Sequence, residues 1–298
     1  MTVTLDDCLV IGISSRALFD LDEENRIFDE QGLSAYAQYQ MEHENDILKP
    51  GSGFALVKAL LKLNEEDKHR VEIIIMSRNS ADTSLRIFNS IAHYHLGISR
   101  AVLAGGSSLA EYLGAFGVDL FLSANEDDVE NAINAGFAAG RIYTDPIRKP
   151  EVYEDIEQIR IAFDGDAVLF SDESERIFQK DGLEAFVENE KRLAKKELPQ
   201  GPFANFLKTI SDLQKQFPHN ASPIRTALVT ARNAPAHERV IRTLRAWNVR
   251  IDEAFFLGGL PKKDILEAFH PHIFFDDQEV HAKPASSVVP SAQVPYRK

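Results

Sequence analysis

The chain has 298 residues, 44% of them hydrophobic and 27% charged, with 46 acidic against 33 basic side chains and a formal net charge of −13. That is a globular composition with room for one large or two ordinary domains. The acidic balance excludes a general nucleic-acid or anionic-membrane surface, so any anionic ligand needs locally placed cations. Cys8 is the single cysteine, which excludes an intrachain disulfide or a cysteine-based zinc site and favours a reducing compartment. Cys8 itself reads as a small buried hydrophobe. Asp6 and Asp7 stand where a signal peptide carries basic residues, and no apolar run approaches a membrane span, so a cytoplasmic location is expected.

In chain order, apolar runs near 9–13, 72–76, 101–104 and 119–122 predict strands in the first half. In the second half, runs ending near Phe163, Val229, Leu257 and Phe275 predict strands, with helical patterns around 203–217, 236–247 and 262–269 between them. Strands that alternate with helices favour a parallel sheet with right-handed crossovers. The charged stretch 171–200, expected to be helical from Gly182 to about Lys195, falls between a first strand and a first core helix, where an insertion overhangs the strand end as a small cap. Trp247 is expected to be a core aromatic. From about Ala282 onward, Pro284, Pro290 and Pro295 exclude a long helix and predict an extended strap or a mobile end.

The chain repeats itself. Residue n set against residue n+150 matches Ile11, Ala17, Asp22, Glu23, Arg26, Ile27, Phe28, Gly32, Leu33 and Ala35 with identical residues from Ile161 to Ala185. The register then drifts slightly: Arg78-Asn79 answers Arg232-Asn233, and Gly105-Gly106 answers Gly258-Gly259. The expectation is a duplicated α/β unit, 1–150 and 151–298, with its junction between Asp145-Pro146 and Lys149-Pro150.

Four polar features fall at the strand ends of the second half. Asp164 and Asp166 close Ile-Ala-Phe-Asp-Gly-Asp; Thr230 closes Ala-Leu-Val-Thr; Lys262 follows Gly-Gly-Leu-Pro; Asp276 and Asp277 close His-Ile-Phe-Phe-Asp-Asp. Taken singly, each has an ordinary explanation: a turn, an N-cap hydroxyl, a solvated helix start, with Lys263 an alternative to Lys262. Taken in order they resemble the haloacid dehalogenase-like phosphatases, whose signature is D-x-D-x-[TV], a strand-terminal Ser or Thr, a Lys and an acidic pair. Residues 162–175, Leu228 to Arg232 and Pro271 to Asp277, together with Ser14-Ser15-Arg16 and Glu30 to Leu33, are similar to the cytosolic 5′-nucleotidase I family over nearly the whole chain.

The resemblance implies a tandem HAD-like α/β fold of Rossmannoid three-layer parallel sheets. The second half would be catalytic and carry the cap insertion; the first would be a degenerate copy. It implies Asp164 as nucleophile, Asp166 as general acid and base, Thr230 and Lys262 on the phosphoryl group, and Mg2+ held by Asp164, the Asp166 backbone carbonyl and Asp276, with Asp277 a neighbouring or alternate ligand. Ala231, Phe178, Arg232 and Asn233 are candidate substrate contacts, although Phe178, Arg232 and Asn233 recur as Phe28, Arg78 and Asn79 in the other half and a shared structural role explains them as well. His237, His270, His272 and His281 lack metal-ligand spacing and are read as surface or packing residues. In the first half Asp164, Asp166, Lys262, Asp276 and Asp277 become Ser14, Arg16, Leu109, Ser123 and Ala124, so that half should hydrolyse nothing, with Arg16 in the space of a metal. The function implied is hydrolysis of nucleoside 5′-monophosphates, with an adenine-nucleotide effector as a second ligand and a monomer or a symmetric homo-oligomer both compatible. Two alternatives stay open: a phosphatase of another small phosphate ester, and a nucleotide-sensing protein with vestigial hydrolysis. Base preference is not legible.

Overall fold

A computed structural model describes residues 4, 5, 7–144 and 158–296. The chain divides into two compact units, Met1–Pro146 and Ile147–Lys298. The expected junction at 145–150 lies outside the described residues.

In the first unit the strands are β1 (Leu9–Ile13), β2 (Val71–Ser77), β3 (Arg100–Leu103), β4 (Leu120–Ser123) and β5 (Ala138–Ile142), and the helices are α1 (Ser15–Leu18), α2 (Asp22–Glu42), α3 (Phe54–Leu61), α4 (Leu85–His93), α5 (Ala110–Leu113) and α6 (Glu126–Asn134). The strands lie in the order β3-β2-β1-β4-β5, all parallel, with Ile11 opposite Ile73 on one side and Leu120 on the other. β5 has no counterpart among the strands expected from the sequence, because Ala-Ala-Gly-Arg-Ile carries little of the β-branched and aromatic signal that marks a strand. Cys8 is half-buried rather than buried, and its thiol donates to the His69 carbonyl.

The second unit has β6 (Ile159–Phe163), β7 (Ile224–Thr230), β8 (Glu253–Phe256), β9 (Ile273–Asp276) and β10 (Ser291–Gln293), with α7 (Glu173–Arg192), α8 (Ala204–Lys215), α9 (His237–Ala246), α10 (Lys263–Phe269) and α11 (Glu279–Ser286). Its order, β10-β9-β6-β7-β8, is again all parallel. Side chains alternate across the strands, so Phe163 and Phe275, paired in register, share one face and stack at 5.7 Å. Phe203 and Phe206 close over them from α8 and its start, Phe203 at 4.7 Å from Phe275. On the opposite face Ala162, Val229 and Phe274 pack with Leu266, Phe269, Ala285 and Val289 from α10, α11 and the chain beyond. This double-sided burial explains why the strands read as unbroken apolar runs.

Two further expectations are corrected. The insertion helix begins at Glu173, not Gly182; Asp172, Glu173 and Glu175 suit the positive end of a helix, and Gly182 is a pivot within it at φ 81°, as Gly32 is in α2 at φ 82°. As far as residue 296 the tail is not the strap or mobile end expected: after α11, with Pro284 inside it, the chain adds β10 to the sheet. Pro290 just before β10 lacks an N–H, yet its carbonyl accepts from Phe274 N–H at 2.8 Å, and fully buried Ser291 and Ala292 are small enough to slot against β9. Among the described residues no helix is long and apolar enough to cross a membrane.

Candidate active site

Open parallel sheets place ligands beyond the carboxyl ends of their strands, and the second unit concentrates its buried polar groups there. Asp164 follows Phe163, the last residue of β6, and is anchored by its N–H to the Phe275 carbonyl at 2.8 Å. The next residues make one wide turn in which Phe170 N–H donates to the Gly165 carbonyl at 2.9 Å and Ala167 sits at φ 59°, a left-handed conformation that costs a non-glycine residue about 1 kcal/mol or more. Thr230 ends β7 fully buried; a side chain on Gly165 would stand 3.3 Å from its Oγ1, so the hydroxyl lies against the turn that carries both aspartates.

Lys262 immediately precedes α10 and is 4% exposed, while Lys263, the first residue of the helix, is exposed. Its Nζ donates to Asp164 Oδ1 and to Asp276 Oδ2, each at 2.6 Å, and lies 5.7 Å from the Phe274 ring centre. Burial alone would lower the lysine's pKa, but the two carboxylates outweigh it and hold the ammonium charged. Asp276 Oδ1 accepts from Gln278 N–H at 2.9 Å, and Asp277 Oδ2 accepts from the Tyr296 hydroxyl.

One ammonium does not balance three buried carboxylates. Burial pushes Asp164 up to about 6 against the pull of Lys262. Burial and the charges of Asp164 and Asp276 push Asp277 up to about 8, and Asp276 is also raised by burial. The ligand oxygens of Asp164, Asp276 and Asp277 all lie within 4.8 Å of one another. A hard, all-oxygen, over-negative cluster of that size fits a small divalent cation such as Mg2+, and a cation there would reverse the upward shifts.

Asp166 does not join this cluster. Its carboxylate is turned onto Arg232, with Nε to Oδ2 at 2.7 Å and Nη2 to Oδ1 at 2.6 Å. Arg232, 4% exposed, gives Nη1 to Glu190 Oε2 at 2.6 Å. Its guanidinium is thus engaged by protein carboxylates, where the sequence left a substrate contact and a shared structural role both open. Ala231 and Asn233 are exposed on the loop after β7, and Phe178 is 45% exposed on α7 with its ring edge-on to Phe186.

Glu190, Arg239, Ser174 and Tyr296 were not singled out from the sequence. Glu190 lies one helical turn beyond Phe186 on the buried stripe of α7, a periodicity that a carboxylate among exposed charged neighbours conceals.

At the positions aligned in the first unit, Ser14 accepts from Ala17 N–H at 3.3 Å and caps α1, Leu109 and Ser123 are buried, and Ser123 Oγ accepts from Asn125 N–H. Arg16, which the sequence reading put in the space of a metal, is one-third exposed and pairs at 2.9 Å with Asp22 at the start of α2.

A parallel sheet that gathers three carboxylates, a lysine and a threonine at its strand ends defines an α/β protein with a buried, cation-ready anion site. The 5′-nucleotidase family model matches residues 1–298, and the chain is 40% identical over 304 residues to human cytosolic 5′-nucleotidase 1B. The chain belongs to the 5′-nucleotidase family. That alignment covers 98% of this chain and 49% of the human protein, so the chain spans about half the length of the curated relative it matches. A crystal structure of histidinol dehydrogenase from Elizabethkingia anophelis aligns over 94% of this chain and 51% of its own at 10% identity and a TM-score of 0.22, too low a likeness to bear on fold or function.

Proposed function

We propose that the protein is a magnesium-dependent 5′-nucleotidase that hydrolyses nucleoside 5′-monophosphates to nucleoside and phosphate through an aspartyl-phosphate. The observation that carries this reading is Lys262 buried between Asp164 and Asp276 beside Asp277. A phosphate monoester repels nucleophiles, and here a carboxylate nucleophile sits among groups able to hold compensating charge. Family membership supplies the nucleotide, and the human relative's name supplies the cytosol. The two units are read as tandem HAD-like domains, the first a degenerate copy and the second catalytic, with α7 as its cap insertion.

Asp164 attacks phosphorus as the bond to the nucleoside 5′-oxygen breaks, and Asp166 gives that oxygen its proton. Water then attacks the aspartyl-phosphate while Asp166 takes its proton, releasing phosphate and regenerating Asp164. Thr230 donates its hydroxyl to a phosphoryl oxygen and Lys262 adds a point charge beside it. Mg2+ would be held by Asp164, Asp276 or Asp277 and the Asp166 carbonyl, and when bound supplies charge neutralisation to nucleophile and phosphoryl group. An adenine-nucleotide effector is carried as part of this reading, and a monomer and a symmetric homo-oligomer are both compatible with it.

The test is phosphate release from nucleoside 5′- and 3′-monophosphates and sugar phosphates, with magnesium or chelator, in the parent and in Asp164→Asn. Release confined to 5′-nucleotides, dependent on magnesium and lost in the variant is expected. Full activity in Asp164→Asn overturns the nucleophile assignment, and preference for sugar phosphates overturns the substrate class.

A further inference from the structure

The most heavily built polar feature outside the Asp164, Asp276 and Asp277 cluster is a buried chain of charges from Asp166 to the insertion helix. Arg232 holds both oxygens of Asp166 and one oxygen of Glu190; the other Glu190 oxygen accepts from Arg239 Nη1 at 2.9 Å and from Ser174 Oγ at 3.0 Å. The side chains of Arg232, Glu190 and Arg239 are 2%, 0% and 1% exposed. Arg232 also lies 5.3 Å from the Phe186 ring centre, so its plane is held by α7 from two positions one helical turn apart.

The first unit separates what the fold needs from what the chemistry needs. There too an arginine on the helix after the second strand takes a buried acid, Arg86 with Glu24. Glu24 aligns with Ser174, however, and Gln40 aligns with Glu190. Gln40 donates to the Tyr36 hydroxyl at 3.0 Å, and Arg78, aligned with Arg232, turns to Asp128 at 2.6 Å. The packing requirement is therefore met without any chain of charges reaching the position of Asp166, which in that unit is Arg16. Only where Asp166 is present does the buried acid move to 190, from which it reaches the structural Arg239 and Arg232 together.

We infer that Glu190 and Arg232 are positioning residues for proton transfer by Asp166: Glu190 fixes the guanidinium plane, and Arg232 keeps one Asp166 oxygen as a pivot while the other turns to the leaving oxygen. The insertion helix thereby sets the aim of the general acid without touching substrate. This rests on the reading of Asp166 as general acid given above. The turn fixes the backbone of Asp166, Arg232 fixes the direction of its carboxylate, and a misaimed acid forfeits its share of the rate.

The test compares kcat/KM for a nucleoside 5′-monophosphate, whose alkoxide leaves poorly, with kcat/KM for p-nitrophenyl phosphate, whose leaving group needs no proton. It is run on the parent, Glu190→Gln and Arg232→Lys, with thermal melting alongside. The expected result is a fall of about 10- to 100-fold for the nucleotide in both variants, with p-nitrophenyl phosphate within about twofold of the parent. Arg232→Lys keeps a cation between the two acids and so decides the matter if Glu190→Gln fails to fold. An equal fall on both substrates, or no fall on either, overturns the inference while leaving the nucleotidase reading intact. A parent inactive on every ester overturns both.

Discussion

Replacing Lys262 by Met keeps the unbranched stem over Phe274 and removes the ammonium that lies 2.6 Å from both Asp164 and Asp276. Breaking a buried ion pair from one side costs about 3–5 kcal/mol, because the remaining charges stay buried without compensation. In a unit of this size that is a fall in melting temperature of roughly 10 °C in the presence of chelator at pH 7.5. The loss shrinks toward pH 5, since Asp164, already raised to about 6 by burial, then carries a proton and no longer needs the lysine. Magnesium should recover more stability in the variant than in the parent, and phosphate release should fall by about 10²- to 10³-fold, as for loss of one donor to developing charge. Melting curves with chelator and with magnesium across pH 5–8 read all of this. A variant within about 1 kcal/mol of the parent at pH 7.5 without metal would show that Lys262 does not compensate these carboxylates.

Asp277→Asn tests the acidic pair: because its carboxyl is raised to about 8, the metal-free folded state holds a proton more tightly than the unfolded chain between about 4 and 8, and stability falls as pH rises through that window. The asparagine removes this slope, so in chelator the melting temperature of the variant relative to the parent should climb from pH 5 to pH 8; a flat difference refutes the assignment. Gly201→Ala would set a Cβ at 2.3 Å from the Phe170 carbonyl oxygen and 2.5 Å from that of Val168, backbone atoms of the turn beside the site. A loss of about 3 kcal/mol or more in denaturant unfolding is expected, and one below about 1 kcal/mol would refute that close approach.

Much of the candidate site was legible because its chemistry is local to strand ends. A buried parallel strand needs an apolar run, so polar residues that end such a run at Asp164, Thr230 and Asp276 announce themselves. Lys262 was preferred to Lys263 on the resemblance alone, since adjacent lysines at a helix start look alike until packing buries one, here Lys262. That Arg232 pairs with Glu190 and Asp166 was not legible, because these partners are 42 and 66 residues away and one of them, Glu190, reads as part of a solvated helix face. The tail was misread because three prolines and small residues score as loop, although small residues and an unneeded N–H are what a strand pressed into the sheet there can use.

Alternating apolar periodicity and the repeat at an offset of 150 determined, without coordinates, that the chain is built from two strand-and-helix series and that the polar strand ends belong to the second. The apolar patterns are properties of neighbouring residues, which backbone geometry converts directly into faces and ends, and the repeat is read by setting the chain against itself. Only the tertiary structure decided that Lys262 crosses 98 residues to reach Asp164, that Asp166 is held by Arg232 apart from the acidic cluster, and that Tyr296 closes on Asp277. Such pairings follow from which buried charges can find compensation inside a packed core, an energy that depends on the whole fold and leaves no period in the sequence.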